Sequence, residues 1–225
     1  GAKASSEEQP SLNLSPKEKS YLLTKNNTLR YCIHPSRFPL EQLDWQNNHE
    51  GMSASFLTRL QKQQDIQFQL YPTSSWAESL SALKEGQCDL IPMAIETHKN
   101  QDKLQFTTPW HNAANVIIGA LDAPFIDHIN ELNQRSIGIS QDSALIELLE
   151  QRYPDLNLVP VPDALSGIQQ VRQRKLYGFI GGLATTSHLL QKEGMGDVRV
   201  LGRLPMDSNY SIAVAPDPSN TTNTP

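Results

Sequence analysis

Two successive units of this chain present the same elements in the same order, and that repeat restricts the possible folds more than any other feature. In the first unit, Leu29 to Ile33 is an apolar strand segment and Met52 to Leu60 a helix. Ile66, Phe68 and Leu70 then alternate as strand residues do. Trp76 to Lys84 follows as a helix and Cys88 to Met93 as a third strand. The second unit runs Ser136 to Ile139 (strand), Ala144 to Tyr153 (helix), Leu156 to Val161 (strand), Ala164 to Gln173 (helix) and Leu176 to Ile180 (strand). Leu80, Leu83 and Ile91 correspond in position to Ile168, Val171 and Phe179. Each unit is β-α-β-α-β, and such crossovers predict a parallel sheet with helices on both faces. The expected class is α/β, with two lobes.

The segment between the units constrains their connection. Pro109 restricts the residue before it, so Thr107-Thr108-Pro109-Trp110 is not a helix interior. Asn115 to Ala120 reads as an extended crossing segment, and Tyr210 to Ala215 as a strand after the second unit. A return of that strand to the first lobe gives two connections, with hinges near Thr108 to Ala113 and Arg203 to Tyr210. The expected organisation is a disordered leader (1–13), lobe 1 (14–109), lobe 2 (110–204), a return strand (205–218) and a disordered tail (219–225). Gly1 to Pro10 has the small, polar character of a chain cut after a signal peptide or of a cloning remnant. A cleft between the lobes is the expected binding place, because ligands of open α/β sheets lie outside the carboxyl ends of the strands.

Composition excludes several classes. Nineteen Lys and Arg against 24 Asp and Glu give a net charge of -5, which argues against a nucleic-acid partner. No apolar run reaches the roughly 18 residues of a membrane helix. Two cysteines cannot make a four-cysteine zinc site. The six histidines (His34, His49, His98, His111, His128, His188) show no metal-ligand spacing. No HExxH, GxSxG, Walker loop or GxGxxG occurs, so no catalytic residue, metal or cofactor is expected. Gly178, Gly181 and Gly182 match no phosphate cradle and suit a tight strand-to-helix turn.

Binding features are better represented. Phe38, Trp76 and Trp110 lie just after strands or at turns, where aromatic walls would line the cleft. Plain packing is the competing role for each. Ser143 opens a helix after Ser140-Gln141-Asp142, where free backbone N–H groups hold an anion or are simply capped. Met93 ends a strand and Ile95 follows it, where strand ends face the cleft. Cys32 and Cys88 lie on two strands that are commonly neighbours, which suits either a disulfide or two small buried thiols.

Several motifs resemble the bacterial extracellular solute-binding proteins of family 3, which have the Venus-flytrap fold. Leu14-Ser15-Pro16-Lys17-Glu18 with Tyr21-Leu22 is similar to the family's opening helix. Tyr31-Cys32-Ile33-His34-Pro35 with Pro39-Leu40-Glu41 resembles its CxxPxxxPxE strand and loop. Gly51-Met52 resembles a following helix start, with Ser55 at the usual Asp. Ser75-Trp76-Ala77-Glu78-Ser79-Leu80 matches SWxESL, and Cys88-Asp89-Leu90-Ile91-Pro92-Met93-Ala94-Ile95-Glu96-Thr97 resembles CDILPxAxET of a sensor subgroup. Phe106-Thr107-Thr108-Pro109-Trp110 is similar to FTxPY. Pro124-Phe125-Ile126, Tyr153-Pro154 and Leu183-Ala184-Thr185-Thr186 with Leu190-Gln191-Lys192 fit the same subgroup.

The resemblance implies a two-lobed, periplasmic-binding-protein-like fold of the Venus-flytrap (type II) kind, each lobe a βαβαβ sheet with helices on both faces. It implies the periplasmic sensing module of a membrane-anchored histidine kinase or diguanylate cyclase, dimeric in the full-length receptor. A free solute-binding protein of an ABC importer for a small polar solute is the alternative. Enzymes on this fold need catalytic residues that have no counterpart here. The ligand is a small molecule or a periplasmic partner protein. Amino-acid-binding members grip the carboxylate with an Arg where this chain has Asn100, and the ammonium with an Asp where it has Gly182. A standard amino acid is therefore not the expected ligand. His98 shares a loop with Asn100 and would add a pH-dependent contact. An oxidising periplasm favours the Cys32–Cys88 bond.

Overall fold

The computed structural model describes residues 16–216. The expectations for the leader and the tail concern residues outside the described range. Helix α1 (Pro16–Thr24) precedes the first unit: β1 (Thr28–Tyr31), a meander of β2 (Ser36–Arg37), β3 (Glu41–Leu43) and β4 (His49–Glu50), α2 (Met52–Gln64), β5 (Gln67–Leu70), α3 (Trp76–Lys84) and β6 (Leu90–Ala94). Short strands β7 (Gln105–Phe106) and β8 (His111–Ala113) follow. The second unit comprises β9 (Asn115–Ala120), β10 (Ser136–Ser140), α4 (Leu145–Arg152), β11 (Asn157–Val161), α5 (Ala164–Arg172), β12 (Gly178–Gly182), α6 (Leu183–Lys192) and β13 (Val198–Arg203). β14 (Ser208–Val214) ends the described chain.

Local chemistry sets the element starts. Ser75 caps α3 by accepting the Glu78 N–H at 3.1 Å, while the Glu78 carboxylate accepts the Ser74 N–H at 2.9 Å. Asp163 caps α5, accepting the Ser166 N–H at 2.7 Å. Each such cap contributes about 1 kcal/mol. Alternation along the strands feeds two faces. In β9, Val116 and Ile118 join the layer under α5, and Ile117 joins the layer under α4. Phe179 and Ile180 of β12 divide in the same way. In the first lobe α2 supplies Phe56, Leu57 and Leu60 to one face, and α3 supplies Ala82 and Leu83 to the other. Burying each such large side chain contributes roughly 1.5–3 kcal/mol.

The two sheets have equivalent strand orders, β5-β1-β6-β14-β7 and β11-β10-β12-β9-β13. β1 runs parallel to β5 and β6, and β10 parallel to β11 and β12. The sheets are not wholly parallel, as the repeat predicts. β14 lies antiparallel to β6 and β7, and β9 antiparallel to β12 and β13. These added strands follow no helical crossover within their own unit, so nothing imposes the parallel sense on them. Asn115 to Ala120 is therefore no crossing segment: it is an interior strand of the second sheet, buried except at Ala120. The glycine cluster also differs from its expected role. Gly178 and Gly181 lie within β12, where an added Cβ would meet Ile118 O at 3.0 Å and Phe179 at 2.8 Å; only Gly182 is at the strand-to-helix junction.

Candidate functional site: the interlobe cleft

The lobes are joined at β8 and β14. These strands pair antiparallel, with Ala113 opposite Ser208, Asn112 opposite Asn209 and His111 opposite Tyr210. Asn112 Nδ2 donates to Asn209 Oδ1 at 2.7 Å. Buried Asn115 donates through Nδ2 to Ser208 Oγ at 3.0 Å and to the Met206 carbonyl at 3.2 Å. Both crossings are therefore tied at one place, and a hinge motion there leaves the two sheets intact.

On the first lobe, the loop after β1 presents His34 and Arg37. The His34 backbone N–H donates to Glu41 Oε2 at 2.7 Å. The His34 ring stacks on Trp76 at 5.6 Å between centroids and 18° between planes. Arg37 Nη2 donates to Glu41 Oε2 and to the Met93 carbonyl, both at 3.0 Å. On the second lobe, the start of α4 presents Asp142 and Glu147. His34 Nε2 and Asp142 Oδ2 are 2.9 Å apart, and the His98 backbone N–H donates to Glu147 Oε2 at 3.1 Å. The Phe38 ring packs on His188 of α6 at 4.7 Å. The chain's own side chains thus bridge the lobes. Burial pushes the Asp142 carboxyl up, but the hydrogen bond and charge of His34, with the charge of Arg37, outweigh it and hold it below the usual carboxylate range.

The residues singled out from the sequence fall into two sets. Phe38, Trp76, His98 and Ser143 are at the cleft or at the loops that bridge it. Met93 is fully buried under Leu40 and Tyr210 and offers the cleft its carbonyl, not its side chain. Ile95 packs against that same cluster, and its carbonyl accepts from Asn100 Nδ2 at 2.9 Å. Trp110 is a pillar of the first lobe: it stacks flat on Phe56 at 3.8 Å and donates Nε1–H to the Pro92 carbonyl at 2.7 Å. Ser143 does not leave an open anion edge. Its hydroxyl accepts the Leu145 N–H at 3.2 Å, and the carboxylates of Asp142 and Glu147 already stand at that end of α4.

The two replaced anchors have local duties. Asn100 folds its own loop, accepting the Thr97 N–H at 2.7 Å as well as donating to Ile95. Gly182 precedes α6 and accepts the Thr186 hydroxyl at 2.7 Å. His34, Arg37 and Glu147 are cleft residues to which the sequence reading gives no cleft role, and Asp142 enters it only at the helix start beside Ser143. Arg37 sits between the quoted halves of the CxxPxxxPxE motif, and a lone charge in a loop gives no pattern.

Cys32 and Cys88 form a disulfide, with Cα atoms 6.0 Å apart, just after β1 and just before β6. Away from the cleft, a cavity of about 200 Å³ lies against Tyr31, His49, Leu57 and Phe68. There His49 links the Tyr31 hydroxyl (3.0 Å) to Ser53 Oγ (2.7 Å). Burial lowers the His49 pKa to about 4, and burial with the nearby Glu41 charge raises that of Tyr31 to about 12. Ser53 is fully buried, so this chain of hydrogen bonds braces the fold and exposes no nucleophile. Among the described residues, no group of three or more His, Cys, Asp or Glu is placed to hold a metal ion, and no helix is long and apolar enough to cross a membrane.

Two α/β lobes of equivalent strand order, joined by one pair of crossing strands around a cleft, define a two-lobed binding module of the Venus-flytrap kind. The chain belongs to the bacterial extracellular solute-binding proteins, family 3, whose model matches residues 29–206. It is 26% identical over 181 residues to the virulence sensor protein BvgS of Bordetella pertussis, a match that covers 80% of this chain and 14% of that protein. In shape it is similar to the periplasmic VFT2 domain of B. pertussis BvgS (TM-score 0.81, 18% identity, 90% of this chain and 86% of that one). It is also similar to a histidine kinase sensor domain that resembles periplasmic binding proteins (TM-score 0.77, 17% identity, 86% of this chain and 84% of that one).

Proposed function

We propose that the chain is the ligand-sensing module of a membrane-bound signalling receptor, located in the periplasm as the extracytoplasmic part of an inner-membrane protein. The observation that carries this reading is the likeness to a virulence sensor over 80% of the chain. That likeness favours it over delivery of a solute to an importer. The cleft supports the same reading, because His34 and Asp142 hold the lobes together through the chain's own groups. A module that closes on itself suits a receptor with a resting signal better than a carrier that must load and unload.

Switching follows from population shift. A small molecule or a periplasmic partner that binds the open and closed lobes with different affinity moves the equilibrium by that difference. The paired hinge strands carry the change toward the rest of the receptor. The module performs no chemistry; the output belongs to a kinase or cyclase domain of the parent protein. Asn100 and Gly182 take the family's two charged anchors away, so the ligand is not a standard amino acid.

A cysteine pair at positions 34 and 142 tests this in the full-length receptor. Oxidation of His34→Cys/Asp142→Cys fixes the lobes together, and the receptor's output then stays at one level until the pair is reduced. Output that ignores the lock, or a coding sequence that ends without a membrane helix and an output domain, overturns the reading.

A further inference from the structure

Arg37 is held the way a bound ligand is held. Its guanidinium lies 5.3 Å from the Trp76 ring centroid and 5.0 Å from that of Tyr210. Nη2 donates both to Glu41 Oε2 and to the Met93 carbonyl, each at 3.0 Å. The Arg37 side chain is 18% exposed and the Glu41 side chain 0%. Two aromatic rings, a carboxylate and a carbonyl together complement a planar, delocalised cation. A compact ammonium would use the charge and one or two acceptors but would gain less from the flat faces. The groups converge from β3, the start of α3, β6 and the hinge strand β14. They meet at the strand ends of the first lobe, where open α/β sheets bind ligands.

A second observation separates this from an ordinary structural ion pair. Arg37 Nε and Glu41 Oε1 are both buried without a hydrogen-bond partner. A pair optimised for stability would use both atoms in a side-on, bidentate contact. Here a single-point contact leaves one donor and one acceptor spare. The site has more binding capacity than its own side chain uses.

We propose that the first-lobe half of the cleft is a guanidinium-binding site, which the chain fills with its own Arg37. The proposal rests on the sensor reading for its signalling consequence, though not for the binding itself. A tethered side chain acts at a high effective concentration. The occupied site therefore keeps a free cation of this shape out of the parent protein's cleft. Removing the side chain creates a vacancy for a free cation of the same shape.

The test uses the Arg37→Ala protein with ethylguanidinium and ethylammonium, each at low millimolar concentration, read by melting temperature and by small-angle scattering. Ethylguanidinium is expected to raise the variant's melting temperature saturably, to restore the parent's radius of gyration, and to bind at least tenfold more tightly than ethylammonium. The parent protein should respond to neither. Equal responses to the two cations, or none in a folded variant, overturn the proposal. Should Arg37→Ala fail to fold, NMR of the parent decides: a slowly exchanging Arg37 Nε–H with restricted rotation of the guanidinium supports the site, and a freely rotating, rapidly exchanging one refutes it. These readouts are of binding, so they can fail while the lock in the full-length receptor succeeds, and the reverse.

Discussion

The two lobes share a strand order but reach stability by different means. The first is cross-linked and polar inside. It contains the Cys32–Cys88 bond and fully buried Glu41, Ser53 and Ser79. Ser79 donates to the Ile33 carbonyl at 2.6 Å, and Ser53 meets His49. The second relies on glycines placed against large side chains. A Cβ at Gly119, Gly138, Gly167 or Gly181 would come within 3.0 Å of Leu201, Leu176 or Phe179. The chemistry is divided just as unevenly. The first lobe brings a cation, two histidines and aromatic rings to the cleft region, and the second brings Asp142, Glu147 and His188. A repeated topology therefore fixes where strand ends meet but leaves each lobe free in how it packs and what it presents.

The largest expected effect tests the cross-link. A bond between cysteines 56 residues apart restricts the unfolded chain by about 4 kcal/mol in the chain-entropy account. Replacing both cysteines by alanine should lower stability by about that amount. Hydrogen exchange should show the loss in β1 and β6 of the first lobe, with β10 and β12 keeping their protection. Two free thiols in unfolded, unreduced protein, or equal loss in both lobes, would break the contrast.

The glycine packing of the second lobe comes next. In α5 an alanine at position 167 would place Cβ 2.4 Å from Phe179 Cδ2, and that ring is 1% exposed. Helix propensity favours alanine over glycine by about 1 kcal/mol, so a net loss measures overpacking. Gly167→Ala should cost about 2–3 kcal/mol in a denaturant titration. Gly196→Ala, with nothing within 4 Å of its new Cβ, should stay within about 0.5 kcal/mol of the parent. A Gly167→Ala protein as stable as the parent would show that the second lobe does not depend on this packing.

How much of this the sequence discloses follows from how local each signal is. Helix α3 is legible to the residue because Ser75 and Glu78 cap it within four positions. The strands of the repeat are legible because apolar alternation is a short-range pattern. The meander β2 to β4 escapes because its strands are two or three residues long. Asn115 to Ala120 is recognisably extended, but its place inside a sheet depends on β12 and β13, both later in the chain. The site is less legible still. Trp110 has the composition of a cleft wall, and only the flat contact with Phe56 shows it to be core. Arg37 gains its meaning from Tyr210, at the far end of the chain.

Acid should separate the lobes through His49. Its folded pKa is about 4, below the ordinary 6.5, because burial disfavours the charged ring. Between those values the unfolded chain binds a proton that the folded chain does not. Stability therefore falls as pH drops from 6.5 toward 4, by about 2 kcal/mol once the exposed part of the ring is allowed for. His49→Gln should flatten that part of the stability profile, and the exchange of first-lobe amides should follow it. An unchanged slope in the variant would remove His49 from the account.

The smallest effect concerns one of the contacts that join the lobes. Ser36 N–H donates to His34 Nδ1 at 3.2 Å, so in this geometry the ring proton sits on Nε2 and is donated to Asp142 at 2.9 Å. Nε2 is thus the donor of the bridge. What the bridge needs is the ionised carboxyl. The Asp142 pKa is lowered in the folded protein, so its contribution is present above the ordinary carboxylate pKa and is lost only as pH falls through the lowered value. The lobes should stay together through the neutral range and separate in strong acid. Asp142 keeps a third of its side chain exposed, so the coupling is that of a partly screened pair. A double-mutant cycle of His34→Ala and Asp142→Ala should give about 0.5–1 kcal/mol. Asp142→Asn should enlarge the radius of gyration at neutral pH without unfolding either sheet. A cycle that returns zero coupling, with scattering unchanged in Asp142→Asn, would mean that the lobes are held together elsewhere, with Phe38 on His188 the next contact to remove.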